Sequence, residues 1–319
     1  MPKEFDLIAQ YFTRPAPEKM VGVGDDCAIF SLRAGYDMAT STDLLLEGRH
    51  FFSDVDPYLL GRKALAVNLS DLAAAGASAR ACLLSLALPS VDEAWLAAFS
   101  RGFLEMADAY CCPLIGGDTT RSLDHITIGV TVMGEVPSGK ALLRSHAHID
   151  DDIWVSDYLG AADLALRYLS GSLPMDAQRL HDSRAALENP APPVAFAQHL
   201  PGVAHAAIDI SDGLAQDLGH ILKASQCGAE VHWPMLPVHA ALHGLPLPLQ
   251  QEAVLAGGDV FQLCFTAAPA QREKLQALAA EHQIALHRIG RIISGAGLRV
   301  LDQAGQPILL AHQGFDHFA

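Results

Sequence analysis

Five short segments of this 319-residue chain repeat one design, in which an apolar run ends in Gly, Ser or Thr and then in Asp. They are GVGDD (Asp25, Asp26), STD (Ser41, Thr42, Asp43), LIGGD (Gly116, Gly117, Asp118), AIDISDG (Asp209, Ser211, Asp212) and LAGGD (Gly257, Gly258, Asp259). NLSDLAAAGA adds Asn68 and Asp71, three residues apart and so on one face of a helix. One Gly-Asp-Asp is explained by a turn, because Gly takes positive φ and Asp hydrogen-bonds its own backbone. The recurrence constrains the fold more. At about 4 Å and an effective dielectric near 20, a like pair loses on the order of 4 kcal/mol and an unlike pair gains as much. Acids gathered at strand ends therefore require cations between them, or else they are scattered over the surface.

Hard divalent cations such as Mg2+ suit the first reading, since they take oxygen ligands from carboxylates, hydroxyls, water and phosphates and need one or two carboxylates each. The paired glycines of IGGDTTR allow a backbone to approach a bulky anion, and the N–H groups that follow can donate to it. Ser211, ahead of DGLAQDLGHI, reads as a helix N-cap whose N–H groups face an anion, with plain capping as the alternative. The formal charge of −15, with 21 Lys and Arg thinly scattered, excludes a nucleic-acid binder of the ordinary basic kind. A phosphate ligand would thus need metal ions or backbone dipoles.

Half of the residues are hydrophobic, which supplies cores for two domains. No apolar run approaches the roughly 20 residues of a membrane span, and Glu4 and Asp6 stand where a signal peptide is basic, so we expect a soluble cytoplasmic protein without membrane contact. The six cysteines form no C-x-x-C pair and read as reduced thiols. DMATSTDLLLEG (37–48) and HITIGVTVMGEV (125–136) read as strands. Between them lie two helices: one near 57–75 opening with Pro57, and one near 91–110 after a capping box at Ser90 to Glu93, striped by Trp95, Phe99, Phe103, Met106 and Tyr110. The stripe reads as core. A polar stretch at 137–150 marks the boundary, dividing the chain into 1–137 and 138–319. The second domain opens with the strand DIWVSDYLG and contains the strand HAAIDI and the helix DGLAQDLGHILKAS.

GVGDDCAIF, STDLLLEGRHF, KALAVNLSDLAAAGA, LIGGDTTR, AIDISDGLAQDLGHI, GGDVFQLCFT and GFDHF, in this order over nearly the whole chain, resemble the thiamine-monophosphate kinase family. That family lies in the superfamily of aminoimidazole ribonucleotide synthetase and selenophosphate synthetase. The resemblance implies a two-domain α/β (α+β) fold: an N-terminal mixed sheet with helices on one face, forming a barrel with its copy in a homodimer, and a C-terminal α/β domain closing over the active site. It implies ATP-dependent phosphorylation of thiamine monophosphate to thiamine diphosphate. On the family's magnesium positions fall Asp26, Ser41, Thr42, Asp43, Asp71, Asp118, Asp209 and Asp212, of which Asp43, Asp71 and Asp118 are expected to matter most for catalysis. Gly117, Arg144 and Ser211 fall on ATP positions, and His50, Asp259 and Phe315 on thiamine-substrate positions.

A phosphate-monoester acceptor has a second pKa of about 6, so it arrives as a dianion and needs no general base. The resemblance then implies direct in-line transfer assisted by several Mg2+ ions. Arg144 has a solvated linker charge as its alternative role, His50 a structural one, and Phe315 that of an anchor for the chain end. One segment departs from the family: where it reads Gly-Gly-Glu-Asp-Tyr-Glu, this chain has GGDVFQ, losing two carboxylates and a phenol. Two other readings compete with the kinase: a superfamily enzyme with another acceptor, and a non-catalytic nucleotide or metal sensor.

Overall fold

A computed structural model of the chain describes residues 4–24, 27–310, 312, 314 and 315. The chain divides into two compact units, Met1–Leu72 with Ala77–Gly139, and Ala73–Gly76 with Lys140–Ala319. No described helix is long and apolar enough to cross a membrane.

The first unit opens with α1 (Glu4–Leu7), which continues into a short π-helical turn over Ile8–Phe12. Its sheet is built from β1 (Tyr36–Leu46), β2 (Ser78–Leu88), β3 (Leu114–Arg121) and β4 (Thr127–Pro137) in the order β1-β4-β2-β3. Only β2 and β3 run parallel, joined by the crossover that a parallel pair needs. ACLLSLALP, the most apolar run of the sequence, is β2. Two helices, α2 (Pro57–Ala74) and α3 (Glu93–Ala109), complete the unit.

Leu60, Ala64, Leu65, Ala66 and Leu69 are all buried, so α2 is covered on nearly every side and shows little amphipathic pattern. Contact between the two helices is close enough to need glycine. A Cβ on Gly61 would lie 2.1 Å from the Phe99 carbonyl oxygen, and one on Gly102 would lie 1.9 Å from that of Tyr58. The α3 stripe is core as expected, with Trp95 stacked on Phe99 at 4.9 Å and Phe99 and Phe103 fully buried. Its cap differs from the expected Ser90: Asp92 is the N-cap and accepts from the N–H groups of Ala94 and Trp95 at 2.9 and 3.0 Å. The aspartate binds two donors at the helix mouth, leaving nothing for a serine two residues earlier.

The second unit contains β5 (Asp152–Ser156), α4 (Ala161–Leu169), α5 (Ala177–Glu188), α6 (Val194–Ala197), β6 (Ala206–Asp209), α7 (Leu214–Ser225) and β7 (Gly228–His232). It continues with α8 (Leu247–Leu255), β8 (Leu263–Ala267), α9 (Arg272–Glu281), β9 (Leu286–Ile293) and β10 (Gly297–Leu301). The six strands form one mixed sheet, β10-β7-β9-β5-β8-β6, in which only β10 and β7 are parallel. β5 and β8 are buried at every position, and Leu214, Leu218, Ile221 and Leu222 of α7 join their core.

Candidate functional site

The alternation of β1 sets the first group of oxygens. Ser41, Asp43 and Leu45 point to the face covered by helices, whereas Met38, Thr40, Thr42, Leu44 and Leu46 are exposed on the other. α2 presents Asn68 and Asp71 to the covered face. The Ser41 hydroxyl donates to Asp71 Oδ2 at 2.5 Å, and the Asp43 N–H donates to Asn68 Oδ1 at 3.1 Å. β1 is an edge strand, so the Asp43 N–H has no strand partner on that side and the buried Asn68 amide supplies the acceptor. The Asp43 carboxylate accepts no hydrogen bond and meets no cation among the described residues. Burial first, and the Asp71 charge second, push its pKa up to about 6. Two carboxylates, a hydroxyl and an amide oxygen are the donor set of a hard cation. Thr42, expected with them, points the other way, its hydroxyl 3.0 Å from both the Val130 carbonyl and the Thr131 hydroxyl.

Gly116, Gly117 and Asp118 lie inside β3, not at its end. Register runs Asp43, Val130, Leu84, Gly117 in one row and Leu44, Gly129, Ser85, Asp118 in the next. Gly117, exposed at the sheet edge, therefore lies in the row of Asp43, and it sits so close to β2 that a Cβ would stand 1.8 Å from the Leu84 carbonyl oxygen, at a φ of +150°. Strand packing alone requires glycine there. Asp118 is exposed on the open face, with Leu44, and β3 and β1 are the two edges of the sheet. Three strand spacings of about 4.8 Å separate them. One copy of the sheet thus brings Asp43 and Asp71 together and holds Asp118 apart.

Val21 and Ile29 form an antiparallel bridge, exchanging N–H···O bonds at 2.8 and 3.0 Å. Asp26 itself lies outside the described residues. His50 closes the turn after β1: its Nδ1 accepts from the Leu46 N–H at 3.0 Å, which leaves the proton of the neutral ring on Nε2.

In the second unit β6 ends in Asp209, and the loop after it carries Ser211 and Asp212. Asp209 is 5 % exposed at the strand's end, the only one of the predicted acids in such a position among the described residues. The N–H groups of Ser211, Asp212 and Gly213 all donate to Asp217 Oδ2, at 3.0, 3.1 and 3.1 Å. Ser211 is therefore not the N-cap; Gly213 is, with φ 131°. The anion expected at these N–H groups is a side chain of the next helix. Burial, followed by the Asp212 charge, raises the Asp217 carboxyl to about 7 against the pull of the three donors. Asp217 escaped the sequence reading because its place at the end of AIDISDGLAQD looks like an exposed helix position; Ala215, Leu218 and Leu222 around it carried the only hint of burial.

LAGGD follows a helix, α8, instead of a strand, because the short apolar run that precedes it fits either period. Its glycines allow two close backbone approaches: a Cβ on Gly257 would lie 2.3 Å from the Ala253 carbonyl oxygen at the end of α8, and one on Gly258 2.6 Å from that of Ser211 in the loop after β6. The Asp259 N–H, at a φ of 59°, donates to that same Ser211 carbonyl at 2.8 Å. Val260 packs on the core and Phe261 is buried. Gln262 is spanned by two bonds, Ser156 Oγ donating to its Oε1 at 2.8 Å and its Nε2 donating to the Ala191 carbonyl at 3.0 Å. The departure GGDVFQ thus turns inward. The chain end joins the Asp212 loop through Phe315, whose N–H donates to the Asp212 carbonyl at 3.0 Å while its carbonyl accepts from Gln216. Arg144 sits in an exposed 3-10 turn, its carbonyl held by Ser225 Oγ and its guanidinium in no ion pair among the described residues.

Two family models match the chain, AIR synthase related protein, N-terminal domain over residues 24–136 and C-terminal domain over 176–303. The thiamine-monophosphate kinase of Escherichia coli (strain K12) is 40% identical over 321 residues, spanning 99% of this chain and 98% of that protein. A crystal structure of thiamine-monophosphate kinase from Stenotrophomonas maltophilia superposes with a TM-score of 0.84 at 41% identity, covering 91% of this chain and 93% of that one. AaThiL complexed with AMPPCP and TMP follows at 0.77 and 27%, covering 90% and 89%. Identity at this level over the full length, through both matched domains, makes the chain a member of the thiamine-monophosphate kinase family.

Proposed function

We propose that the protein transfers the γ-phosphoryl group of ATP to the phosphate of thiamine monophosphate, giving thiamine diphosphate and ADP by direct in-line transfer. The observation that carries this reading is the Ser41–Asp43–Asp71 group, an oxygen set with no side-chain cation beside Asp43 among the described residues, in a chain whose relatives are kinases of this class. It fits Mg2+, which when bound neutralises phosphate oxygens and draws donor and acceptor together. Asp43 and Asp71 would hold one such ion, and Asp26, Asp118, Asp209 and Asp212 are assigned as ligands of the further Mg2+ ions. Thr42, turned to the open face, is the weakest member of the set.

Arg144, with its planar fork, is assigned to ATP phosphates. His50 offers an Nε2–H donor to the acceptor, and Asp259 and Phe315 are assigned to the thiamine side. Gly117 and Ser211 contribute backbone shape. A homodimer also follows from this reading: Met38, Leu44 and Leu46 lie exposed on the open face that carries Asp118, and a second sheet there would cover them. We place the enzyme in the cytoplasm. Val260, Phe261 and Gln262 serve the core of their unit, so the altered segment gives no support to a non-catalytic sensor.

The test is ATP consumption measured against a panel of phosphorylated acceptors in Mg2+. Thiamine monophosphate should be the preferred acceptor, with thiamine diphosphate as product. Turnover with another phosphate ester and none with this one would overturn the substrate, and ATP binding without consumption would overturn the reaction.

A further inference from the structure

Asp151 and Asp152 are adjacent, both almost fully buried, and answered in opposite ways. Asp152 is gripped by Arg272 through two bonds of 2.6 and 2.7 Å and by Arg288 at 3.3 Å. Asp151, 2 % exposed, pairs with no Lys or Arg among the described residues; its neighbours are two imidazoles. His205 Nδ1 stands 2.9 Å from both carboxylate oxygens, and the His148 ring lies 4.2 Å from the His205 ring. One ligand atom from each of His148, Asp151 and His205 falls within 4.8 Å of the other two.

We propose that these three residues bind a borderline transition-metal ion, Zn2+ in the first instance, separate from the magnesium chemistry of the phosphoryl transfer. Two imidazole nitrogens and one carboxylate oxygen suit Zn2+, Co2+ or Ni2+ and not Mg2+, which prefers an octahedron of oxygens. Three ligands about 2.0–2.1 Å from a tetrahedral ion stand roughly 3.3 Å apart, so the side chains need only small rotations. The fourth position belongs to water, since His148 is exposed.

Backbone bonds already fix the cluster. The Asp150 N–H donates to the Ile292 carbonyl and the Ile292 N–H to that of Asp151; the His205 N–H donates to the Thr266 carbonyl. His148 is tied to Asp151 by its N–H on Oδ2 at 2.9 Å. The ion would therefore staple the entrance of β5 to that of β6, across β8 between them. Four residues of β6 at about 3.3 Å each place it some 13 Å from Asp209, at the other end of the strand. It would also stiffen the turn bearing Arg144, because Ser225 Oγ bonds both Ala147 N–H and the Arg144 carbonyl.

The experiment uses the full chain with Mg2+ in excess to occupy the oxygen sites. Zn2+ binding is measured by calorimetry and thermal midpoint, and Co2+ is used for its visible ligand-field spectrum. We expect one ion per chain, a raised midpoint and a tetrahedral Co2+ spectrum. His148→Asn, exposed and harmless to folding, should weaken Zn2+ by on the order of tenfold or more, abolish the Co2+ spectrum and leave turnover in Mg2+ unchanged. His205→Asn should do the same. Zn2+ affinity and Co2+ spectrum equal in wild type and His148→Asn, or no Zn2+ response in the wild type, would overturn the site.

Discussion

Asp43 of the first unit, half-buried, and Asp217 of the second, buried, are both carboxylates with raised pKa values, near 6 and near 7, yet their surroundings are unlike. Three backbone N–H groups converge on Asp217, so it is the keystone of the loop ahead of α7. Asp43 faces Asp71 and receives no donor among the described residues; its own N–H, not its carboxylate, is what Asn68 holds. An acid answered by the backbone builds structure, whereas an acid answered by another acid leaves charge for something outside the chain to neutralise. The two roles cannot be told apart by the upward pKa shift alone.

That contrast is broken most directly by removing each carboxylate. Asp43→Asn should lower phosphoryl transfer by about 10^2–10^3 while the fold survives, as circular dichroism and turnover would reveal; near wild-type rates would erase the functional half of the comparison. Asp217→Ala should instead cost roughly 2–4 kcal/mol in denaturant unfolding, since three loop N–H groups lose their acceptor. Asp217→Asn should cost less, because its amide oxygen still accepts. A stable Asp217→Ala protein would erase the structural half.

Gly117→Ala sharpens the same division at β3. A Cβ 1.8 Å from the Leu84 oxygen should cost about 2–3 kcal/mol in unfolding whether or not nucleotide is present. An unchanged stability joined to weakened ATP binding would show that the glycine serves the ligand and not the sheet.

The smallest expected effect is the pH dependence that Asp43 imposes on the metal-free protein. Its folded pKa of about 6 lies above the ordinary 3.8, so between those values the folded state holds the proton more tightly. Stability should therefore fall as pH rises from about 4 to 6, by on the order of 1–2 kcal/mol from this group. Asp43→Asn should flatten that slope, and Mg2+ should oppose it by favouring the charged form. An identical pH profile with and without the substitution would place the Asp43 strain elsewhere.

Much of this was legible in the chain itself. The period-two pattern of Ile126, Ile128, Val130 and Val132 gave β4, and the aromatic stripe gave the buried face of α3, since each pattern follows from backbone geometry alone. STD and NLSD named the acids of the first unit. Their agreement came from local rules: alternation puts Ser41 and Asp43 on one face, and a spacing of three puts Asn68 and Asp71 on another. LAGGD failed because a short apolar run fits helix and strand alike, and Ser90 failed because Asp92 was the stronger acceptor two residues later.

Sequence alone thus determined which residues carry oxygen, nitrogen and charge, and which neighbours along the chain share a face, because those properties are covalent or follow from a helical or extended period. Only the tertiary structure decided which acid is matched by N–H groups, which by another acid, and that Asp118 lies on the far face and edge of the sheet holding Asp43. Those outcomes depend on contacts between residues distant in sequence, where register, strand order and the closeness allowed by a missing Cβ set what each carboxylate meets.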